Sequence, residues 1–77
     1  MLSKLLGKVT QKCYELTQKG KYQVFFNYEA HIDTFTIYYY VGGWAEEKDS
    51  IYIAHLEYTT EENLKNALEE LKGLENE

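Results

Sequence analysis

Arginine and proline are absent from this 77-residue chain, and cysteine, methionine and tryptophan occur once each. Arginine is the side chain that grips phosphate and guanine with two parallel hydrogen bonds, so a chain without it is poorly equipped to read nucleic acid. The single cysteine, Cys13, forbids an intramolecular disulfide and leaves a cysteine-based zinc site short of ligands. It points to a reducing, cytoplasmic setting. No apolar run is long enough to cross a bilayer, and the opening MLSKLLGKV is interrupted by lysine too often for a secretory signal. The expectation is a soluble chain with no membrane partner.

The residues that are present are ordinary in bulk and uneven in distribution. A charged fraction of 27% and a hydrophobic fraction of 44% describe a folding chain rather than a disordered one. Its length is that of one domain, near the lower limit for unaided folding. The net charge is −5. Residues 1 to 21 hold five lysines (Lys4, Lys8, Lys12, Lys19, Lys21) against Glu15, a net of +4, and residues 22 to 77 hold three lysines against twelve acids, a net of −9. A basic first segment thus leads an acidic body, whose charge repels nucleic acid.

Hydrophobic periodicity gives the elements. Leu2, Leu5, Leu6, Val9, Cys13 and Leu16 recur at three and four, the stripe of an amphipathic helix over 2–19, with Ser3 as N-cap and Gly20 as the closing glycine. Lys4, Lys8 and Lys12 form a ladder on its opposite side. From Tyr22 the period changes to two. Tyr22, Val24 and Phe26 share one face of a first strand, and Phe35, Ile37, Tyr39 and Val41 one face of a second, with NYEAHID between them as the turn. A third strand is expected over 50–58, after a four-residue loop of Glu46, Glu47, Lys48 and Asp49. That loop pairs Trp44 with Ile51, Tyr40 with His55 and Tyr38 with Glu57, and on the other face Tyr39 with Leu56, Val41 with Ala54 and Ile37 with Tyr58. Thr59 and Glu62 read as a capping box for a last helix, in which Leu64, Ala67, Leu68 and Leu71 form the apolar stripe. Gly73 reads as its stop, and residues 74–77 as a frayed tail.

The fold class is therefore α+β, in the order α-β-β-β-α, a three-stranded antiparallel meander with both terminal helices packed on one face. One face of the sheet is wholly apolar or aromatic: Tyr22, Val24, Phe26, Phe35, Ile37, Tyr39, Val41, Ala54, Leu56 and Tyr58. The other carries Gln23, Asn27, Thr34 and Thr36, together with six large side chains: Phe25, Tyr38, Tyr40, Trp44, Ile51 and Ile53. One helix on each face is the alternative; the polar residues of the second face suit exposure better. Gly42 and Gly43 read as a bulge, or as room for another backbone to approach.

Little points to catalysis. His55 beside Tyr40 and Glu57 has the outline of an acid–base group, but no nucleophile or oxyanion-hole pattern accompanies it. His31, His55 and Cys13 lack metal-ligand spacing, and no phosphate-binding loop is present. No enzyme and no cofactor is expected. Phe25, Tyr38, Tyr40, Trp44, Ile51 and Ile53 are the candidate surface for a protein partner, a second copy included, because tyrosine and tryptophan are frequent interface anchors. The second reading is an acidic inhibitor that mimics nucleic acid at a basic site, through Glu46, Glu47, Asp49, Glu57, Glu61, Glu62, Glu69 and Glu70. In size and composition the chain resembles small acidic proteins carried by phages, which implies the same kind of inhibitor.

Overall fold

The computed structural model describes residues 2–42 and 49–76. Trp44, Gly43 and the acids Glu46 and Glu47 lie outside the described residues. The apolar stripe of the first segment forms helix α1, Leu2–Gln18, burying Val9, Cys13 and Leu16. Leu2 begins the helix, so Ser3 lies within its first turn and is not the cap. At the other end Gly20 adopts φ 84°, a left-handed conformation that glycine reaches without a Cβ clash, and its N–H donates to the Thr17 carbonyl.

The period-two segments form β1, Tyr22–Glu29, β2, Thr34–Val41, and β3, Ile51–Tyr58, in one antiparallel sheet of order β1-β2-β3. β1 runs three residues beyond Phe26, through Asn27, Tyr28 and Glu29, which pair with Thr36, Phe35 and Thr34, so the turn is shorter than expected. Asp33 takes φ 52° in that turn, and its carboxylate accepts from the Tyr28 hydroxyl at 2.7 Å. Helix α2, Glu61–Glu75, is capped by Thr60, one residue after the expected Thr59; its side chain accepts from the Asn63 N–H. Gly73 does not stop it. The helix continues two residues further, which buries Leu74 and brings Glu75 to α1.

The order is α-β-β-β-α, with α1 against β1, α2 against β3, and the two helices against each other. The core joins Val9, Cys13 and Leu16 of α1 to Tyr22, Phe35, Ile37 and Ala54 of the sheet and to Leu64, Ala67, Leu71 and Leu74 of α2. Both helices therefore cover the same sheet face. The thickness agrees: the smallest Cα extent is 15 Å, enough for two layers about 10 Å apart but not for three.

The direction of the chain reverses at each of the four connections between the five elements, which leaves the two helices parallel. Leu2 lies beside Thr59, Thr60 and Glu61 at the N-terminal end of α2, and Lys12 and Lys19 reach Glu75 at its C-terminal end. Parallel neighbours bring the negative ends of two helix dipoles together. Lysines offset this: Lys12 Nζ lies 3.1 Å from Glu75 Oε1 and Lys19 Nζ 3.0 Å from Glu75 Oε2, and Lys12 also pairs with Glu15 at 3.1 Å. At the opposite end Glu61 and Glu62 occupy the first turn of α2, where negative charge is favourable.

The pairing of β2 with β3 departs most from expectation. Thr34 pairs with Tyr58, Phe35 with Glu57, Ile37 with Ala54, Tyr38 with Tyr52 and Tyr39 with Ile51. None of the expected pairs forms among the described residues. The register shifts twice, between Phe35 and Ile37 and between Ile37 and Tyr38, and each shift places an extra residue in β3. Leu56 sits in the first bulge at φ 52°, with its N–H donating to Thr36 Oγ1 at 3.1 Å and its side chain 49% exposed.

Two stability predictions follow from these contacts. A leucine at positive φ costs about 1–2 kcal/mol, so Leu56→Gly will be more stable than Leu56→Ala by about 0.5–1 kcal/mol in urea denaturation, the reverse of the usual strand order. Lys19 and Lys12 hold the Glu75 carboxyl below its ordinary value, and Lys12 with Gln11 does the same to Glu15. A depressed folded-state value means stability that is present above about pH 4.5 and is lost as pH falls through the folded-state value. Urea midpoints measured from pH 6 downward should therefore fall less steeply for Glu75→Gln than for the parent chain.

Candidate functional site

With both helices on one side, no element of the described residues lies over the second sheet face. Its occupants follow from the register. Gln23, Phe25, Asn27 and Glu29 of β1 stand opposite Tyr40, Tyr38, Thr36 and Thr34 of β2, and directly paired residues share a face. From β3 come Tyr52, opposite Tyr38, Tyr58, opposite Thr34, and His55, whose ring lies 4.7 Å from that of Tyr52.

These side chains form an aromatic ladder across the strands. Phe25 and Tyr38 stack nearly parallel, centroids 5.0 Å apart and planes 7° apart. Tyr52 continues the row on the far side of Tyr38 at 5.6 Å, tilted by 50°, and His55 lies against Tyr52, tilted by 35°. Tyr40 closes the cluster, standing edge-on to Phe25 at 5.8 Å and to Tyr38 at 6.1 Å. Neighbouring strands lie about 4.8 Å apart, so paired rings on one face meet at this spacing without rearrangement. Each favourable ring pair contributes about 0.5–1.5 kcal/mol beyond its area. The consequence for exposure is marked: Phe25, Tyr38 and Tyr40 are only partly exposed although no described helix or strand lies over them, while Tyr52 and Tyr58 are 52% and 69% exposed.

Of the six side chains expected on this surface, the structure brings together Phe25, Tyr38 and Tyr40. Trp44 is outside the described residues. Ile51 pairs with Tyr39, which packs on the core, and Ile53 itself packs against the core, so both turn to the helix side. Tyr58, expected inside, faces out opposite Thr34, and Leu56 is exposed at its bulge. Glu57 pairs with buried Phe35 rather than with Tyr38, which takes it away from His55 and Tyr40. Tyr52 and Tyr58 are the residues that the simple alternation missed. A signal existed: Tyr52, His55 and Tyr58 recur at three rather than two, as outward residues do in a strand that carries bulges.

The ladder's geometry limits its chemistry. Phe25 and Tyr38, stacked across their strands, stand upright and spend their facing sides on one another. A nucleic-acid platform needs the opposite arrangement, with ring faces open to bases. What this face offers outward is ring edges, hydroxyls and the amides of Gln23 and Asn27. Among the described residues Glu29 is its one carboxylate, in a molecule with thirteen acids.

The sheet edges are less available than the face. The Thr17 hydroxyl of α1 accepts from the Val24 N–H at 3.0 Å and donates to the Cys13 carbonyl at 3.0 Å, occupying an outward backbone group of β1. On the other edge the two bulges interrupt β3, which disfavours strand addition.

Elsewhere, Cys13 is a buried thiol, and burial pushes its pKa up to about 12, far from the thiolate a nucleophile requires. Among the described residues no group of three His, Cys, Asp or Glu side chains is placed to hold a metal ion, and no helix is long and apolar enough to cross a membrane. Glu57 and Glu70 line a cleft of β3 and α2 with Asn63 and Asn66, floored by Ile53, Ala54 and Ala67. The chain matches no protein-family model, no curated protein and no solved structure.

The stacked pair is open to a direct test. A double-mutant cycle with Phe25→Leu and Tyr38→Leu, followed by urea denaturation, should return a coupling of about 0.5–1.5 kcal/mol in favour of the native pair.

Proposed function

We propose that this chain is a small non-enzymatic interaction module that binds a protein partner through its uncovered aromatic face. The observation that carries the reading is the ring ladder Phe25–Tyr38–Tyr52, with Tyr40 and His55 beside it, on a face with a single carboxylate among the described residues. Tyrosine and amide side chains are what adaptable protein-binding surfaces use: the rings give large contact area at low entropic cost, and the hydroxyls and amides give hydrogen bonds. The setting proposed is cytoplasmic, where Cys13 stays reduced within the core. No catalytic step and no direct nucleic-acid contact belong to this reading, since arginine is absent and Phe25 and Tyr38 already face one another.

A second reading, an acidic inhibitor of a basic site, is favoured by one feature. The cleft of Glu57, Glu70, Asn63 and Asn66 has an apolar floor and two carboxylates, a combination suited to the stem and head of a lysine or arginine on another protein.

The two readings use opposite layers of the molecule, so a photo-crosslinking side chain placed at position 52 or at position 70 separates them. Under the leading reading, protein adducts form from position 52 in the living cell and diminish when Tyr38→Ser is added to a chain that keeps its circular dichroism. Adducts from position 70 alone would transfer the function to the acidic cleft.

A further inference from the structure

We infer that the aromatic face is occupied by a second copy of this chain, forming a reversible two-fold dimer in which the two sheets pack face to face. The inference rests on the reading of this face as a protein-docking surface and names its occupant.

Area is the first argument. Eight-residue strands are about 27 Å long at 3.4 Å per residue, and three of them with their side chains span about 15 Å, so each copy offers on the order of 400–500 Å². Two such faces bury roughly 800–1,000 Å² in total, below the ~1,600 Å² of a standard stable complex and at the low end, where weak, transient ones lie. The face is thus matched in size to its own copy, and the dimer it makes is concentration-dependent.

Charge is the second. A chain of net −5 meets its own copy against repulsion unless the meeting surfaces are neutral. The described residues of this face meet that requirement, and the acids of α2 lie in the other layer, beyond the sheet. The one carboxylate among them also chooses the symmetry. Glu29 sits at one end of the face, opposite Thr34, while Gln23 and Tyr40 sit at the other. A two-fold axis along the strands would bring both Glu29 side chains to the same end. An axis across the strands separates them by most of the strand length, about 20 Å and beyond the screening distance of ~8–10 Å. That axis passes over Tyr38, which lies at the middle of the face, and sets Tyr52 of one copy against Tyr52 of the other. Edge-to-edge pairing is the competing arrangement, and both edges are compromised, β1 by Thr17 and β3 by its bulges.

Sedimentation equilibrium of the purified chain, from low micromolar loading to about 1 mM, tests this directly. The expected result is a monomer–dimer equilibrium that changes little with added salt. Tyr52→Arg sets two like charges across the axis and should weaken the dimer at least about tenfold. Asn27→Glu, which puts a charge without a partner inside the buried area, should also weaken it. Glu69→Arg, on exposed α2, should leave it unchanged. Circular dichroism identifies any variant that fails to fold, and the two face substitutions stand in for one another. A monomer throughout the range would overturn the dimer, as would a dimer indifferent to both face substitutions. Neither result removes the docking reading, which fails separately if position 52 yields no protein adduct of any mass in the cell.

Discussion

A three-stranded sheet has two faces, and this chain has helices for only one of them. Everything else in the structure answers to that shortage. The helix-covered face takes the aliphatic residues and the one tyrosine pair that is edge-on and internal, Tyr22 with Tyr39 at 5.2 Å. The other face is left to protect itself, and it does so with rings. Tyr38 and Tyr40 are sequence neighbours of Tyr39, yet they meet Phe25 and one another on the opposite side. Stacking across strands hides much of each ring without a further layer, which is how a small chain can leave aromatic residues uncovered and remain a folded unit.

The elements were legible because periodicity is a local property. The stripes Leu2 to Leu16 and Leu64 to Leu71 needed only a spacing of three and four, and the inward residues of β2 only a spacing of two. The placement of both helices on one face was legible as well, from the threonines and amides left over on the other. Register across the second hairpin was not, because it depends on loop length and on bulges. In β3 the expected alternation holds only between the two bulges, where Ala54 faces in and His55 faces out. Beyond each bulge the parity reverses, so Tyr52 and Tyr58 turn outward and Ile51 turns toward the helices. Half of the candidate site was therefore visible in β1 and β2, and the β3 portion was assigned to the wrong residues. Leu56 shows why: nothing in its side chain announces a left-handed backbone, and the Thr36 hydroxyl that supports it comes from twenty residues away.

Among the described residues the basic first helix meets the acidic last helix in ion pairs at Glu75. The lysine-rich first helix and the acid-rich last helix run parallel, and Glu75 receives both Lys12 and Lys19 where two negative dipole ends meet. That contact depends on α2 continuing past Gly73, a glycine that in sequence reads as a stop. Tertiary burial of Leu74 outweighs the local preference, which is worth only about 1 kcal/mol.

The self-shielding of the ladder also bears on how strongly the open face can bind. Counting six large apolar side chains in the sequence gives a patch of about 500 Å² and, at ~25 cal/mol per Å², a gain near 12 kcal/mol on covering it. In the folded chain the same rings are already partly withdrawn from water, and two of the six residues, Ile51 and Ile53, have turned to the helix side. The gain left for a partner is correspondingly smaller, against an association cost of about 4–15 kcal/mol. A surface of this kind favours exchange over permanence: it is large enough to select an orientation through ring edges and hydroxyls, and too well satisfied on its own to hold a partner indefinitely.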